Sequence, residues 1–252
     1  MTLDLVVSRL RAAGCVFAEN EARLLVDAAG TPADLAALVD RRVAGLPLEH
    51  VLGWAAFLDL RIAVDPGVFV PRRRTEFLAT RAIDLASPGA VVVDLCCGTG
   101  AVGAAIAAAV PGIRLSAADV EPAAVRCARR NLTGPVYEGD LYAALPASLR
   151  GRVDVLVANA PYVPSDAVDL MPPEARLHEP LVALDGGPDG LAVLRRVVAD
   201  APSWLASGGH LLFETSAHQS EAAVEAVHAA GLTPSTASDS ELATTVVIGS
   251  RP

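Results

Sequence analysis

The chain has 252 residues, of which 52% are hydrophobic, so it can bury a large core in one domain or in two unequal ones. Its formal net charge of −9 argues against a general nucleic-acid-binding protein, and its cysteines (Cys15, Cys96, Cys97, Cys127) include no C-x-x-C pair that would indicate a zinc site. The start lacks a signal-peptide pattern, and the most apolar stretch, 89–112, is interrupted by an acid and glycines, so we expect a cytoplasmic protein that does not enter a membrane.

Apolar residues at helical spacing predict short helices in residues 1–60. Thr31 is placed to cap one of these helices, with Pro32 at its first position. Over residues 57–70 β-branched residues become frequent, and the turn at Pro66-Gly67 predicts a hairpin there.

An arginine run at residues 72–74 precedes a further helix that extends through Leu85. We interpret the run as a solvated or ion-paired surface segment rather than a substrate grip. Trp54 and Phe57 are expected to pack between the two parts of the chain, and His178-Glu179 to form a surface pair.

After residue 89 apolar strands alternate with helices, which predicts an α/β domain with a parallel sheet covered by helices on both faces. Ligands bind such sheets just beyond the carboxyl ends of the strands. The predicted strands are Val91–Leu95, Arg114–Asp119, Val136–Glu138, Val153–Ala158, His210–Glu214 and Thr244–Ile248, and the predicted helices are Ala101–Val110, Pro122–Asn131, Leu191–Leu205 and Gln219–Ala230.

The first strand is followed by a glycine loop in which Cys96, Gly98 and Gly100 are candidate cofactor contacts. The loop fits the G-x-G-x-x-G pattern of dinucleotide-binding folds, which alone is a weak match. A carboxylate at Asp94, just before the loop, does not suit a pyrophosphate but suits a cofactor with a cationic amino-acid end.

Asp119 ends the second strand, where a carboxylate can accept both ribose hydroxyls of S-adenosylmethionine or of NAD. After the third strand, Asp140 can accept from an adenine amino group while Leu141 lies against the ring. Asp119 alone is also consistent with a helix cap, and a lone Gly139-Asp140 is more typical of an ordinary turn. Together with the glycine loop, their positions after successive strands predict an adenosine cofactor, S-adenosylmethionine.

The fourth strand runs into Asn159-Ala160-Pro161-Tyr162, which resembles the Asn/Asp-Pro-Pro-Tyr/Phe signature of methyltransferases that act on planar nitrogen. Within that group the chain resembles the HemK/PrmC family, the glutamine N5-methyltransferases of peptide-chain release factors. The other segments that carry the resemblance are Gly45 with Pro47, Leu52-Gly53 with Phe57, Val70-Pro71-Arg72, Thr75-Glu76, Glu179-Pro180, Ala183-Leu184, Gly186-Gly187 and Asp189-Gly190-Leu191.

The resemblance implies a Rossmann-like, seven-stranded, mostly parallel sheet over residues 77–252, behind a small helical domain and interdomain hairpin at residues 1–76. It implies a protein substrate, a release factor, with no direct contact to nucleic acid. Catalysis and acceptor binding are expected at Asn159, Pro161 and Tyr162, with Asn159 also facing the cofactor.

An amide nitrogen is a poor nucleophile because its lone pair is delocalised. The site must therefore orient the nitrogen by accepting hydrogen bonds from its two N–H groups. The Asn159 side-chain oxygen and the Ala160 carbonyl can accept the two N–H hydrogens and favour the positive charge that develops on the nitrogen. Tyr162 supplies a flat face for a planar group, and Pro161 stiffens the loop.

The sequence departs from the family pattern at three places near the expected site: Ala160 replaces the first proline, Cys96-Cys97 replaces Gly-Thr, and Arg73-Arg74 stands in the interdomain motif. The tail, 239–248, also lacks an arginine that family members often carry. These changes leave a nitrogen of a small metabolite as an alternative acceptor. An NAD(P)-dependent oxidoreductase and a non-catalytic binding module are further alternatives.

Overall fold

A computed structural model describes all 252 residues, and its N-terminal part is helical. Eight buried apolar residues give this part a core of its own. The predicted cap is confirmed, because Thr31 Oγ1 accepts a hydrogen bond from the Asp34 N–H at 3.1 Å. The four helices are α1 (Leu3–Ala12), α2 (Ala18–Ala28), α3 (Pro32–Val43) and α4 (Leu48–Leu52).

A buried ion pair ties these helices to the rest of the chain. Arg42 of α3 donates through Nε to Glu21 of α2 at 2.6 Å and through Nη1 to Glu174 at 2.6 Å. The Arg42 side chain is only 6% exposed. Since Glu174 lies 132 residues further along, one guanidinium joins the helical part to a segment that follows the fourth predicted strand.

A hairpin follows, formed by β1 (Trp54–Phe57) and β2 (Leu60–Ala63). The predicted position of its turn was wrong. Phe57 pairs with Leu60 across a two-residue connection in which Leu58 adopts a left-handed φ of 49°, whereas Pro66-Gly67 forms a separate turn after β2. The segment after β2 has no partner strand and packs back on α4, where the buried His50 Nε2 lies 2.8 Å from the Val68 carbonyl oxygen.

The C-terminal part contains the predicted α/β fold, with one seven-stranded, mostly parallel sheet in the order β5-β4-β3-β6-β7-β9-β8. β3 to β7 are parallel, and β9 is antiparallel to both β7 and β8. The strands are β3 (Val91–Leu95), β4 (Arg114–Asp119), β5 (Val136–Glu138), β6 (Val153–Ala158), β7 (Leu205–Thr215), β8 (Thr233–Asp239) and β9 (Thr244–Ser250).

Helices cover both faces of this sheet, over cores of 24 and 23 buried residues. Phe57 of the hairpin is fully buried in the second core, whereas Trp54 is partly buried beneath the Arg61 guanidinium, 4.2 Å from its ring centroid. None of the helices is both long and apolar enough to cross a bilayer. The helices that follow the hairpin are α5 (Thr75–Leu85), α6 (Ala101–Ala109), α7 (Pro122–Asn131), α8 (Pro173–His178), α9 (Ala192–Trp204) and α10 (Ser220–Ala229), and all but α8 contribute to the two cores.

Candidate active site

A cavity of about 330 Å³ lies at the carboxyl ends of β3 to β6, where the strand order reverses. Seven of the eight predicted cofactor residues line it: Asp94, Cys96, Gly98, Asp119, Asp140, Leu141 and Asn159. Gly100 lies behind the lining. It begins α6 with a φ of 78°, and a Cβ there would come within 2.9 Å of Leu132 Cγ, so glycine is needed at this position for the turn and for packing.

Asp94 is almost completely buried at the end of β3, and Oδ2 accepts a hydrogen bond from the Gly103 N–H at 2.9 Å. A Cβ at residue 103 would lie 3.0 Å from that oxygen, so the third glycine of the G-x-G-x-x-G pattern keeps α6 close to the carboxylate. Burial, opposed by this hydrogen bond, raises the pKa of Asp94 to about 7. A cationic ligand group would restore the charged form.

Asp119 connects the end of β4 to the glycine loop. Its Oδ2 accepts from the Gly98 N–H at 2.8 Å, and its Oδ1 accepts from the Glu121 N–H at 2.9 Å. Burial raises the pKa of Asp119 above its ordinary value. Because a carboxylate has about four acceptor sites, two remain for hydroxyl groups of a ligand.

The loop after β5 presents Asp140 and Leu141 to the cavity. Leu141 is buried and adopts a left-handed φ of 48°, which is unfavourable for a branched side chain. Backbone strain of this kind is concentrated at functional sites. Asp140 is exposed and accepts from Arg196 Nη2 at 2.6 Å. Arg196, on α9, also lines the cavity and was missed by the sequence analysis.

A second, smaller cavity of about 30 Å³ adjoins the first. Asn159 and Pro161 line both cavities, and Ala160 and Tyr162 line the smaller one. The predicted acceptor loop, residues 159–162, therefore lies between the large cavity and the small one, which we call the narrow slot. The slot is completed by Phe69, Arg72, Arg74, Val163, Met171, Ala183 and Leu184.

Glycines of the segment before α9 hold the acceptor loop by close backbone contact. A Cβ on Gly186 would lie 2.7 Å from the Pro161 carbonyl oxygen, and one on Gly190 would lie 2.3 Å from the Tyr162 carbonyl oxygen. Gln219 Nε2 donates to that same Tyr162 oxygen at 2.9 Å. The glycine-rich motif thus supports the loop rather than contacting either cavity.

Two arginines of the run at 72–74 are ion-paired, as predicted, but both also line the narrow slot, so the run does not stand apart from the candidate substrate site as expected. Arg72 Nη2 donates to both oxygens of Glu179, at 2.7 and 2.6 Å, and Arg74 Nε lies 3.0 Å from Glu214 Oε1. The predicted surface pair His178-Glu179 was wrong, because Glu179 is buried and also accepts from the Val70 N–H.

Glu214 was also missed as a site residue. It ends a run of apolar residues in β7, is 1% exposed and accepts a hydrogen bond from the Tyr162 hydroxyl at 2.6 Å. The sequence signal available was a single acid immediately after Leu211-Leu212-Phe213, a position that the sheet buries on both faces.

Comparisons with known proteins bear on this site. Residues 59–177 match the family model "Methyltransferase small domain". The chain is 44% identical to a release factor glutamine methyltransferase of Mycolicibacterium smegmatis over 75% of this chain and 68% of that protein. A release factor glutamine methyltransferase of Bifidobacterium longum is 34% identical over 89% of each chain.

The chain belongs to the release factor glutamine methyltransferase family. It is an S-adenosylmethionine-dependent N-methyltransferase. The oxidoreductase alternative, which was based on the G-x-G-x-x-G pattern, is not supported. A further relative is named for a small-molecule acceptor. It is the 4-amino-L-phenylalanine/4-methylamino-L-phenylalanine methyltransferase of Streptomyces pristinaespiralis, 37% identical over 72% of this chain and 65% of that protein.

A solved methyltransferase from Pyrococcus furiosus shares the fold of this family member. It superposes with a TM-score of 0.59 at 15% identity, over 87% of this chain and 98% of that one. The likeness supports the Rossmann-like methyltransferase architecture.

Proposed function

We propose that this enzyme transfers a methyl group from S-adenosylmethionine to the side-chain amide nitrogen of a glutamine in a peptide-chain release factor. The observation that carries the proposal is the position of Asn159, which lines both the large cavity and the narrow slot. A planar acceptor held at Asn159 would present its nitrogen to whatever occupies the large cavity.

The residues of the large cavity fit S-adenosylmethionine. Buried Asp94 suits the cationic amino-acid end, and the two free acceptor sites of Asp119 suit the ribose hydroxyls. Asp140 and Leu141 are placed for the adenine, and the cavity volume falls within the range typical of small-molecule sites. When bound, the cofactor supplies an electrophilic methyl group on a sulfonium.

The acceptor loop orients the amide group that receives the methyl. Asn159 Oδ1 and the Ala160 carbonyl accept the two hydrogens of the amide, so that its nitrogen lone pair is directed toward the large cavity. Ala160 offers that carbonyl as well as proline would, and it is buried, so the missing ring leaves no exposed gap. Tyr162 forms a wall of the slot. The methylated nitrogen loses its extra proton readily to water, so no dedicated base is required.

A protein acceptor agrees with the surface around the cavity mouth. Val182 lines the cavity and is 47% exposed, and Leu181, beside it in the chain, is 59% exposed. An apolar rim of this kind is typical of a macromolecular contact. We propose that residues 1–76 form the helical domain and interdomain hairpin, which add contact area, and that 77–252 form the catalytic domain. We further propose that the enzyme acts in the cytoplasm, without direct contact to nucleic acid.

A small amine or amide of a metabolite is the second candidate acceptor, favoured by the name of the Streptomyces pristinaespiralis relative. Tritium-labelled cofactor, incubated with purified release factor or with 4-amino-L-phenylalanine, distinguishes the two. We expect label on the release factor, at an initial rate about 100-fold lower when Asn159→Ala replaces the wild type. Label on the small amine alone would overturn the protein acceptor and leave the methyltransferase activity in place.

A further inference from the structure

Glu214 gathers three hydrogen-bond donors from two separate segments. Its Oε1 accepts from the Tyr162 hydroxyl at 2.6 Å and lies 3.0 Å from Arg74 Nε, and its Oε2 accepts from Thr75 Oγ1 at 2.7 Å. The carboxylate is 1% exposed, and Thr75 is 3% exposed. The Arg74 side chain is 45% exposed, so the less exposed part of the cluster is the carboxylate with Thr75 and Tyr162, whose relative positions it fixes.

The donors belong to the walls of both cavities. Thr75 lines the large cavity, whereas Tyr162 and Arg74 line the narrow slot. Glu214 lines neither cavity. The carboxylate lies behind the two walls and holds one against the other.

We propose that Glu214 is a positioning residue for methyl transfer, which sets the acceptor wall at Tyr162 relative to the cofactor wall at Thr75. The inference rests on the proposed function only in taking the slot at Tyr162 as the place of the acceptor. Since the nucleophile must lie within about 3–3.5 Å of the methyl carbon, a displacement of about 1 Å between the walls can cost about 100-fold in rate.

The donor set explains why the residue is an acid. The two hydroxyls and the guanidinium can all donate to one carboxylate, whose two oxygens only accept. A glutamine at this position offers Tyr162 and Arg74 a neutral acceptor oxygen, whose hydrogen bonds are weaker than those of a carboxylate, and its NH2 group can only donate to Thr75 Oγ1. The amide would also leave the Arg74 guanidinium without its counter-charge. Glu214→Gln should therefore hold the Tyr162 ring more loosely while it keeps the side-chain volume.

The ring position can be read without any turnover. The chain has three tyrosines, so 3-fluorotyrosine labelling gives three ¹⁹F resonances, and the one lost in Tyr162→Phe is that of Tyr162. We expect Glu214→Gln to shift or broaden this resonance and to leave those of Tyr137 and Tyr142 in place. Glu21→Gln is the matched control, since Glu21 is another buried acid paired with an arginine, in the helical part of the chain. It should move none of the three resonances.

Kinetics then test the consequence on whichever acceptor the wild type methylates, so a wrong acceptor assignment does not affect this test. Glu214→Gln should lower kcat about 10- to 100-fold, with the cofactor Kd measured by calorimetry changed less than about threefold. Tyr162→Phe and the double variant complete a cycle, and the two losses in kcat should be strongly non-additive. An unmoved Tyr162 resonance, or additive losses, would overturn the proposal. If thermal stability falls equally in Glu214→Gln and Glu21→Gln while kcat falls in neither, the role of Glu214 is structural only.

Discussion

Replacing Asp119 with alanine removes a side chain that has two roles. It joins the end of β4 to the glycine loop, and it is the proposed contact to the ribose. In the structure its two oxygens already accept from the Gly98 and Glu121 N–H groups, at 2.8 and 2.9 Å. The substitution therefore deletes two acceptor sites for a ligand and also frees the loop on which the cofactor would lie.

The size of the effect follows from the charge on the acceptor. A hydrogen bond to a charged group contributes about 1.5–3 kcal/mol, which corresponds to about a 10- to 150-fold weaker Kd at 1.4 kcal/mol per factor of ten. Calorimetric titration with S-adenosylmethionine measures the change directly. Thermal unfolding without ligand shows whether the glycine loop has also been weakened.

Glu138→Ala is the matched control. Glu138 is the β5 residue in register with Asp119, so it shares the strand end, but it does not line the cavity. We expect its cofactor Kd to stay near that of the wild type. If Asp119→Ala bound the cofactor within about twofold of the wild type, Asp119 would have no part in the site and the proposed ribose contact would be wrong.

Three other substitutions test separate parts of the molecule. Because burial raises the pKa of Asp94 from 3.8 to about 7, the cofactor-free protein should lose stability as pH rises from about 3.8 to about 7, whereas Asp94→Asn should lack this loss in thermal scans. By the same linkage the cofactor should bind more tightly as pH rises through that range, and calorimetry that finds no pH dependence would contradict the assignment. Asn159→Ala should lower kcat about 100-fold with little change in cofactor Kd, and near-normal turnover would refute its role. Arg42→Ala leaves the buried Glu21 without its ion-pair partner and should reduce the free energy of unfolding by about 3–5 kcal/mol in urea titrations. A loss below about 1 kcal/mol would show that the ion pair does not stabilise the fold.

The α/β part was largely predictable because its central strands are buried on both faces. Apolar runs predicted β3 and β6, and the shorter apolar segments that end at Asp119 and Glu138 predicted β4 and β5, at the residues that the structure shows. β8 was missed, since its sequence is polar, contains Pro234 and lies at the edge of the sheet, where a proline and alternating exposure are tolerated. The hairpin turn was misplaced because Pro66-Gly67 is a strong local turn signal, while the true connection at Leu58-Asp59 contains no glycine.

The predicted site residues came from positions after strands, and the structure places them around one pair of cavities. The residues that were missed act over long sequence separations. Glu214 contacts Thr75, 139 residues earlier, and Arg196 contacts Asp140, 56 residues earlier. Glu179, expected at the surface, is buried by Arg72, 107 residues earlier. Such pairings depend on how the segments fold together, and local spacing gives no information about them.

The central claim is that the narrow slot beside Asn159 receives a glutamine amide. Its most direct test is mass-spectrometric mapping of release factor from the source organism after incubation with this enzyme and S-adenosylmethionine. We expect one added methyl group, on the side-chain nitrogen of a single glutamine, and an initial rate of methylation about 100-fold lower with Asn159→Ala. Methyl groups on other residue types, or an unmodified release factor beside a methylated small amine, would contradict it.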